Sequence, residues 1–253
     1  LTFKAQANTY LEIFAQVPIQ NFAVVQLQNS CEATYSVSVN LYDEEKILVA
    51  SESYSETANV ENLALMLKVQ PHELRCLFEV SPGRYRAVIL VTDLENNDSF
   101  QFTKRINVPD YSLSNLSLSD LQLASSIKRS EENPSLVKSG WQIEPNVRHE
   151  FDRFLEPLYV YAELYNTEFR ELDSSLRSRL IVRNMGGEDV KNLKMRNLKF
   201  GKNTTFAWKV PIHDLSAGRY ELTLFVTDLI NGQSVEKSTY FSIIEPQLLA
   251  RQR

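Results

Sequence analysis

Seven glycines, two cysteines and three histidines in 253 residues leave little material for several kinds of chemistry. Phosphate cradles are built from glycine-rich turns, and the chain holds no G-x-x-x-x-G-K-[ST] loop, no G-x-G-x-x-G fingerprint and no G-x-S-x-G elbow. His72, His149 and His213 are scattered, without cysteine or carboxylate at ligand spacing, so no zinc site is expected. Lys and Arg form no run, and a net charge of -5 with a pI near 5.4 excludes the basic footprint of a nucleic-acid binder. No apolar run approaches the roughly 18 residues of a membrane-spanning helix, so the chain is expected to carry no transmembrane segment. Acids are plentiful, yet nothing singles out a pair at the spacing of a glycosidase. The sequence therefore predicts neither an enzyme nor a cofactor or metal, and only a convergent set of perturbed carboxylates in a deep pocket would revive catalysis.

What is present is a strand-forming chain with 43% apolar residues, enough for a proper core. Segments such as TYLEIFAQ, NFAVVQLQ, TYSVSVNLY and SFQFTKRINV alternate or enrich β-branched and aromatic residues between Pro, Gly, Asn and Asp. NVENLALMLKV, Asn59 to Val69, is the best helical candidate and reads equally as an inserted loop or strand. One phrase occurs twice: GRYRAVILVTDLENN from Gly83 and GRYELTLFVTDLING from Gly218, an offset of 135. A looser echo precedes each copy, YLEIF from Tyr10 and YAELY from Tyr161. About seven short strands per copy, with turns every 8–12 residues, predict two tandem immunoglobulin-like β-sandwiches. The expected boundaries are 1–109 and 110–253, the second domain carrying a long irregular connection at about 128–156.

Within the twin phrase, Tyr85 and Tyr220 suit a tyrosine corner, with the ring in the core and the hydroxyl bonded back to the preceding turn. Counting in twos puts Ala87, Ile89 and Val91, and Leu222, Leu224 and Val226, on the inward face. Gly83 and Gly218 are expected to supply a positive φ, and Asp93 and Asp228 to cap turn amides. Asp93, Glu95 and Asp98 could together bind calcium, but DLINGQ in the second copy lacks the extra acids, which favours a turn. Asn231-Gly232 signals a two-residue hairpin. A Glu among aromatics needs a partner if buried, which suggests pairing of Glu12 with Arg84 and Glu163 with Arg219; the equal alternative is that both acids sit on solvated faces. Cys31 and Cys76 share strand parity with apolar neighbours and read either as buried free thiols or as a disulfide, which would imply an oxidising compartment.

Two tryptophans could anchor a ligand. Trp208 in FAWKV alternates like a core residue, whereas Trp141, in the SGWQIEPN stretch read as a loop, is the candidate interaction residue.

LSLSDLQLASSIK, VKSGWQIEPN and LYVYAELYN, with the opening YLEIFAQVP and the PGRY…VTDL ending, resemble the region ahead of the GWxTD module in bacterial GWxTD-domain proteins. The likeness covers nearly the whole chain and is densest from Leu116 to Asn166. The module's own motif is absent, since Gly140-Trp141 is followed by Gln-Ile-Glu. The family carries export signals, so the resemblance implies a location in the periplasm or cell envelope and brings no catalytic residues with it. A chain opening on Leu1 also reads as a mature or trimmed piece, which leaves room for an export signal or a lipid anchor on a removed N-terminus. The expectation is a non-enzymatic interaction or scaffold protein, an accessory subunit of a membrane-associated protein complex. A carbohydrate-binding or adhesive module built around Trp141 is the alternative.

Overall fold

Side chains that alternate inward and outward along the chain write the strands of both halves. In the computed structural model, described for residues 1–66, 69–113, 115–130, 137–167, 176–198, 204–229 and 232–245, they assemble two all-β units of immunoglobulin-like sandwich type. One unit comprises Thr2 and Lys4–Asp110, and the other Tyr111–Arg253 with Leu1 and Phe3.

The first unit is built from β1 (Thr2–Lys4), β2 (Thr9–Val17), β3 (Val25–Gln26), β4 (Cys31–Tyr42), β5 (Leu48–Val60), β6 (His72–Val80), β7 (Gly83–Asp93) and β8 (Ser99–Val108). One sheet runs β1-β2-β6, and the facing sheet runs β5-β4-β7-β8 with β3 beside the start of β4. In β4 every second residue from Cys31 to Leu41 is buried, which is the sequence pattern of a strand with one face in a core. Leu11 of β2 and Leu74, Cys76, Phe78 and Val80 of β6 meet it from the other sheet. Cys31 and Cys76 are both buried, unbridged thiols. The helical candidate shrinks to one turn, Leu63–Met66, because Asn62 Oδ1 accepts the Leu65 amide at 3.1 Å and starts a helix that has no length to propagate. Leu67 and Lys68 of that candidate lie outside the described residues.

The second unit contains β9 (Ser117–Leu118), β10 (Gln122–Arg129), β11 (Val137–Lys138), β12 (Trp141–Pro145), β13 (Glu150–Asp152), β14 (Leu158–Tyr165), β15 (Leu176–Asn184), β16 (Asp189–Leu198), β17 (Thr204–Val210), β18 (Gly218–Asp228) and β19 (Ser234–Ile244). Its sheets run β11-β12-β10-β14-β17, with β9 on β14, and β13-β19-β18-β15-β16. β14 is buried at most positions along both faces, with Leu158, Val160, Ala162 and Leu164 in the main core. The stretch 128–156, expected to be irregular, carries β11, β12 and β13, and β12 pairs with β10 from Pro145 opposite Ala124 to Trp141 opposite Arg129. Short strands on the margin of a sheet leave too few alternations to stand out in sequence.

The doubled phrase becomes β7 and β18, each followed by its neighbour β8 or β19. Tyr85 donates its hydroxyl to the Ser81 carbonyl at 2.7 Å, and Tyr220 to that of Ser216 at 2.8 Å, the bond of a tyrosine corner. The turns that follow are twins as well. The Asp93 amide donates to the Asp98 carbonyl and Asn97 N–H to the Asp93 carbonyl, while Asp228 and Gln233, and Gly232 and Asp228, repeat both bonds at 2.8 and 2.9 Å. Asn97 has φ 63° and Gly232 φ 72°, the same left-handed position filled by the two residue types that tolerate it. β18 ends at Asp228 and β19 begins at Ser234, and the hairpin expected at Asn231-Gly232 falls between them; Ile230 and Asn231 lie outside the described residues. Gly218 has a φ of 151°, but Gly83 has no positive φ, and a Cβ there would meet the Tyr85 ring at an ordinary 3.6 Å.

Candidate functional site: an uncovered sheet edge

The expected Glu–Arg pairs do not form. Glu12 instead meets Arg75 of β6 at 2.5 Å, while Arg84 lies out by Glu44 at 3.5 Å. Glu163 accepts hydroxyls from Tyr161 at 2.5 Å, Tyr165 at 2.8 Å and Ser139 at 3.2 Å, and Arg219 stacks over the Tyr240 ring. Both acids lie on the face of their strand opposite the core-lining Leu11 and Ile13, or Val160 and Ala162, and the partner comes from whichever strand lies alongside, which parity cannot reveal. Burial pushes the Cys76 thiol up to about 11 and raises Tyr54, whose hydroxyl donates to Cys76 Sγ at 3.5 Å. Burial likewise pushes Tyr35 up to about 12, its hydroxyl 2.7 Å from His72 Nδ1. His149 is lowered by burial and has Nδ1 2.9 Å from the Tyr240 carbonyl. The Tyr54–Cys76 and Tyr35–His72 contacts both join β6 of the first unit to β5 and β4, and His149 lies in the second unit.

Asp93 is buried and serves the turn: Oδ1 accepts the Glu95 amide at 2.9 Å and Oδ2 the Ala23 amide at 2.7 Å. Its oxygens are therefore taken by backbone donors of the fold. Asp228 is buried at the equivalent place. Among the described residues no group of three His, Cys, Asp or Glu could hold a metal ion. No helix among them is long and apolar enough to cross a membrane.

Trp141 opens strand β12 rather than sitting in a loop. Its Nε1–H donates to Thr205 Oγ1 at 3.2 Å, and the Arg129 guanidinium covers the ring at 3.9 Å. Its polar handle and one ring face are thus engaged inside the second unit. Trp208 is partly buried against that unit's core, edge-on to Phe206.

The exposed anchors lie elsewhere, on β8. Pairing with β7 places Phe100 opposite Val91, Phe102 opposite Ile89 and Lys104 opposite Ala87, all on the side that faces the core. Yet Phe100 is 60% exposed and Phe102 59%. The reason is a missing cover. β1 is three residues long against nine in β2, so among the described residues much of that edge of β2 has no strand beside it. Phe14, Val17, Pro18, Phe22, Phe100 and Phe102 consequently line an apolar groove of about 330 Å³. β8 is also the end of its sheet. Counting alternation from the Asp93-to-Asp98 bond, Phe100, Phe102 and Lys104 bond back to β7. Ser99, Gln101, Thr103 and Arg105 direct their N–H and C=O groups outward to an edge that no other strand among the described residues pairs.

In the second unit the same positions are closed. Val235 and Lys237 replace Phe100 and Phe102, and Lys237 bonds Asp120 at 2.9 Å. β9 pairs with β14 at Leu164–Leu118 and Tyr165–Ser117, and Leu116 and Leu118 enter the core. Sequence reading identified SFQFTKRINV as a strand but not its exposed aromatics. The available signal was the 135-residue offset, which aligns two phenylalanines with a valine and a lysine.

No family model matches the chain, and no curated protein matches it. Among solved structures, the fibronectin(III)-like modules of Clostridium thermocellum CbhA align at 12% identity over 96% of this chain and 90% of that one, with a TM-score of 0.24. A likeness at that score carries no argument about the site.

Proposed function

We propose that the chain is a non-enzymatic interaction or scaffold protein whose contact surface is the β8 edge and the groove beneath it, acting as an accessory subunit of a membrane-associated assembly in the bacterial cell envelope. The observation that supports it is the pair of aromatic side chains, Phe100 and Phe102, held in solvent on the core-facing side of an edge strand. Exposed contiguous apolar surface of this kind marks contact sites, and an open edge adds unpaired backbone donors and acceptors. The envelope assignment draws on the resemblance carried by LSLSDLQLASSIK and VKSGWQIEPN.

The test is isolation of the protein from its native membrane under mild conditions, for the natural chain and for a Phe100→Ser/Phe102→Ser variant. A stable assembly that the variant fails to join is expected. A natural chain that behaves as a lone species in the native extract, or a variant that assembles normally, would overturn the reading.

A further inference from the structure

The residues around Gln101 are self-complementary: identical Phe100 and Phe102 are one away on either side, the hydroxyl residues Ser99 and Thr103 two, and the opposite charges Asp98 and Lys104 three. On an edge strand this symmetry has a geometric meaning. Two copies laid antiparallel, Gln101 against Gln101, bring Phe100 opposite Phe102 twice and Asp98 opposite Lys104 twice, with Ser99 opposite Thr103 on the outer face. Every one of these positions is exposed. The backbone parity agrees, since Ser99, Gln101 and Thr103 carry the outward N–H and C=O groups and would form the hydrogen-bonded pairs. Phe100 and Phe102 then fall in the non-hydrogen-bonded pairs, where side chains approach most closely.

We propose that the β8 edge is a self-complementary dimerisation strand, and that its partner is a second copy of this chain in an isologous two-fold pairing centred on Gln101. This rests on the interaction reading of the same edge and names its occupant. Charge selects the register. Moving the centre to Phe102 sets Phe100 against Lys104 and Asp98 against Ile106, and moving it to Phe100 sets Asp98 against Phe102; either shift loses both ion pairs. The equivalent strand of the second unit shows the opposite design. Centring β19 on Glu236 would oppose two glutamates, place Lys237 against Val235, and leave the Ser242–Ile244 end already taken by β13. Like charges face to face and an inward-turned lysine are what keep natural edges apart.

A pairing of about seven residues is small beside the roughly 1,200–2,000 Å² of a standard interface, so the dimer is expected at micromolar concentrations and above. Sedimentation of the purified full chain reads it directly. The natural chain should show a concentration-dependent dimer, and Phe102→Lys, which copies Lys237, a monomer. Asp98→Lys and Lys104→Asp should each weaken association about tenfold, because each change acts twice in a symmetric dimer. The combined swap should restore it to within a few-fold of the natural value. Under mild oxidation Gln101→Cys should cross-link on the two-fold axis, while Ser99→Cys should not, and the buried Cys31 and Cys76 give no background. A natural chain that stays monomeric, or a dimer indifferent to Phe102→Lys and to the charge swaps, would overturn the proposal. A monomer that still enters the native assembly through Phe100 and Phe102 removes the second copy as occupant but leaves the interaction reading intact, whereas failure in both assays removes both.

Discussion

The two units carry the same hairpin and end it on different edges. β7 and β18 share the corner tyrosine, the inward face and the turn aspartate, down to matching backbone bonds. One step further along the chain the likeness stops. β19 turns Lys237 inward to Asp120, and β9 fills the space beside β14; β8 keeps two phenylalanines in solvent over an unfilled groove. Residues common to both copies are the ones a sandwich needs for corner, core and turn. Surface available for a partner is where the first copy lacks the second copy's cover.

The paired acids of the two units are held differently. Glu12 is 1% exposed at its side chain and is matched by a guanidinium, whereas Glu163 is held by hydroxyls. Arg75→Met should therefore destabilise the first unit by about 3 kcal/mol. Glu163→Gln should cost the second about 1 kcal/mol. Calorimetry that found the first unit indifferent to Arg75→Met would remove the ion pair from the account. A second asymmetry is the Cys76 thiol, raised by burial from its ordinary 9.0 to about 11. Its contribution is fully present below pH 9 and is lost as pH rises from 9 towards 11, because the unfolded chain ionises first. At about 1.4 kcal/mol per pH unit this amounts to roughly 2–3 kcal/mol. Tyr35, pushed up to about 12, adds to the loss above pH 10. Urea titrations of Cys76→Ala between pH 9 and 10 should give a flatter profile than the natural chain, and equal slopes would contradict the assignment.

The twin turns give a smaller effect. Gly232→Val should cost about 1–2 kcal/mol because a β-branched residue cannot hold φ 72° without strain, while Asn97→Gly should stay within a few tenths. If both changes cost the same, the two turns are not equivalent. Smallest are the corner hydroxyls: Tyr220→Phe is expected to cost about 1 kcal/mol and Tyr85→Phe less, since the Ser81 carbonyl lies in an exposed setting where water can replace the bond. Chemical denaturation that ranked them the other way would show that the second corner is the wetter one.

Much of this fold was legible because it is written locally. Two-residue alternation gave β4, β7 and β18 and their inner faces, and the 135-residue offset gave the repeat. The role of Asp93 was readable for the same reason, since it caps an amide two residues ahead. Other features depend on neighbours remote in sequence. Trp141 read as an exposed loop residue because nothing in SGWQIEPN tells that Arg129 and Thr205 arrive beside it. Arg75 was missed as the partner of Glu12 because β2 and β6 are 63 residues apart at that contact. Phe100 and Phe102 carried the parity of core residues, and parity says which side a residue faces without saying whether anything faces it back.

Local sequence dictates two copies of a strand-built domain, the tyrosine corners, the turns and the inward faces. Each follows from propensity, side-chain period and spacing within a few residues. Which inward face is covered is settled by tertiary packing: β9 lies against β14 and Leu118 enters the core, while among the described residues Phe100 and Phe102 stay exposed over the groove they line with Phe14 and Phe22. Burial depends on segments that meet only after folding.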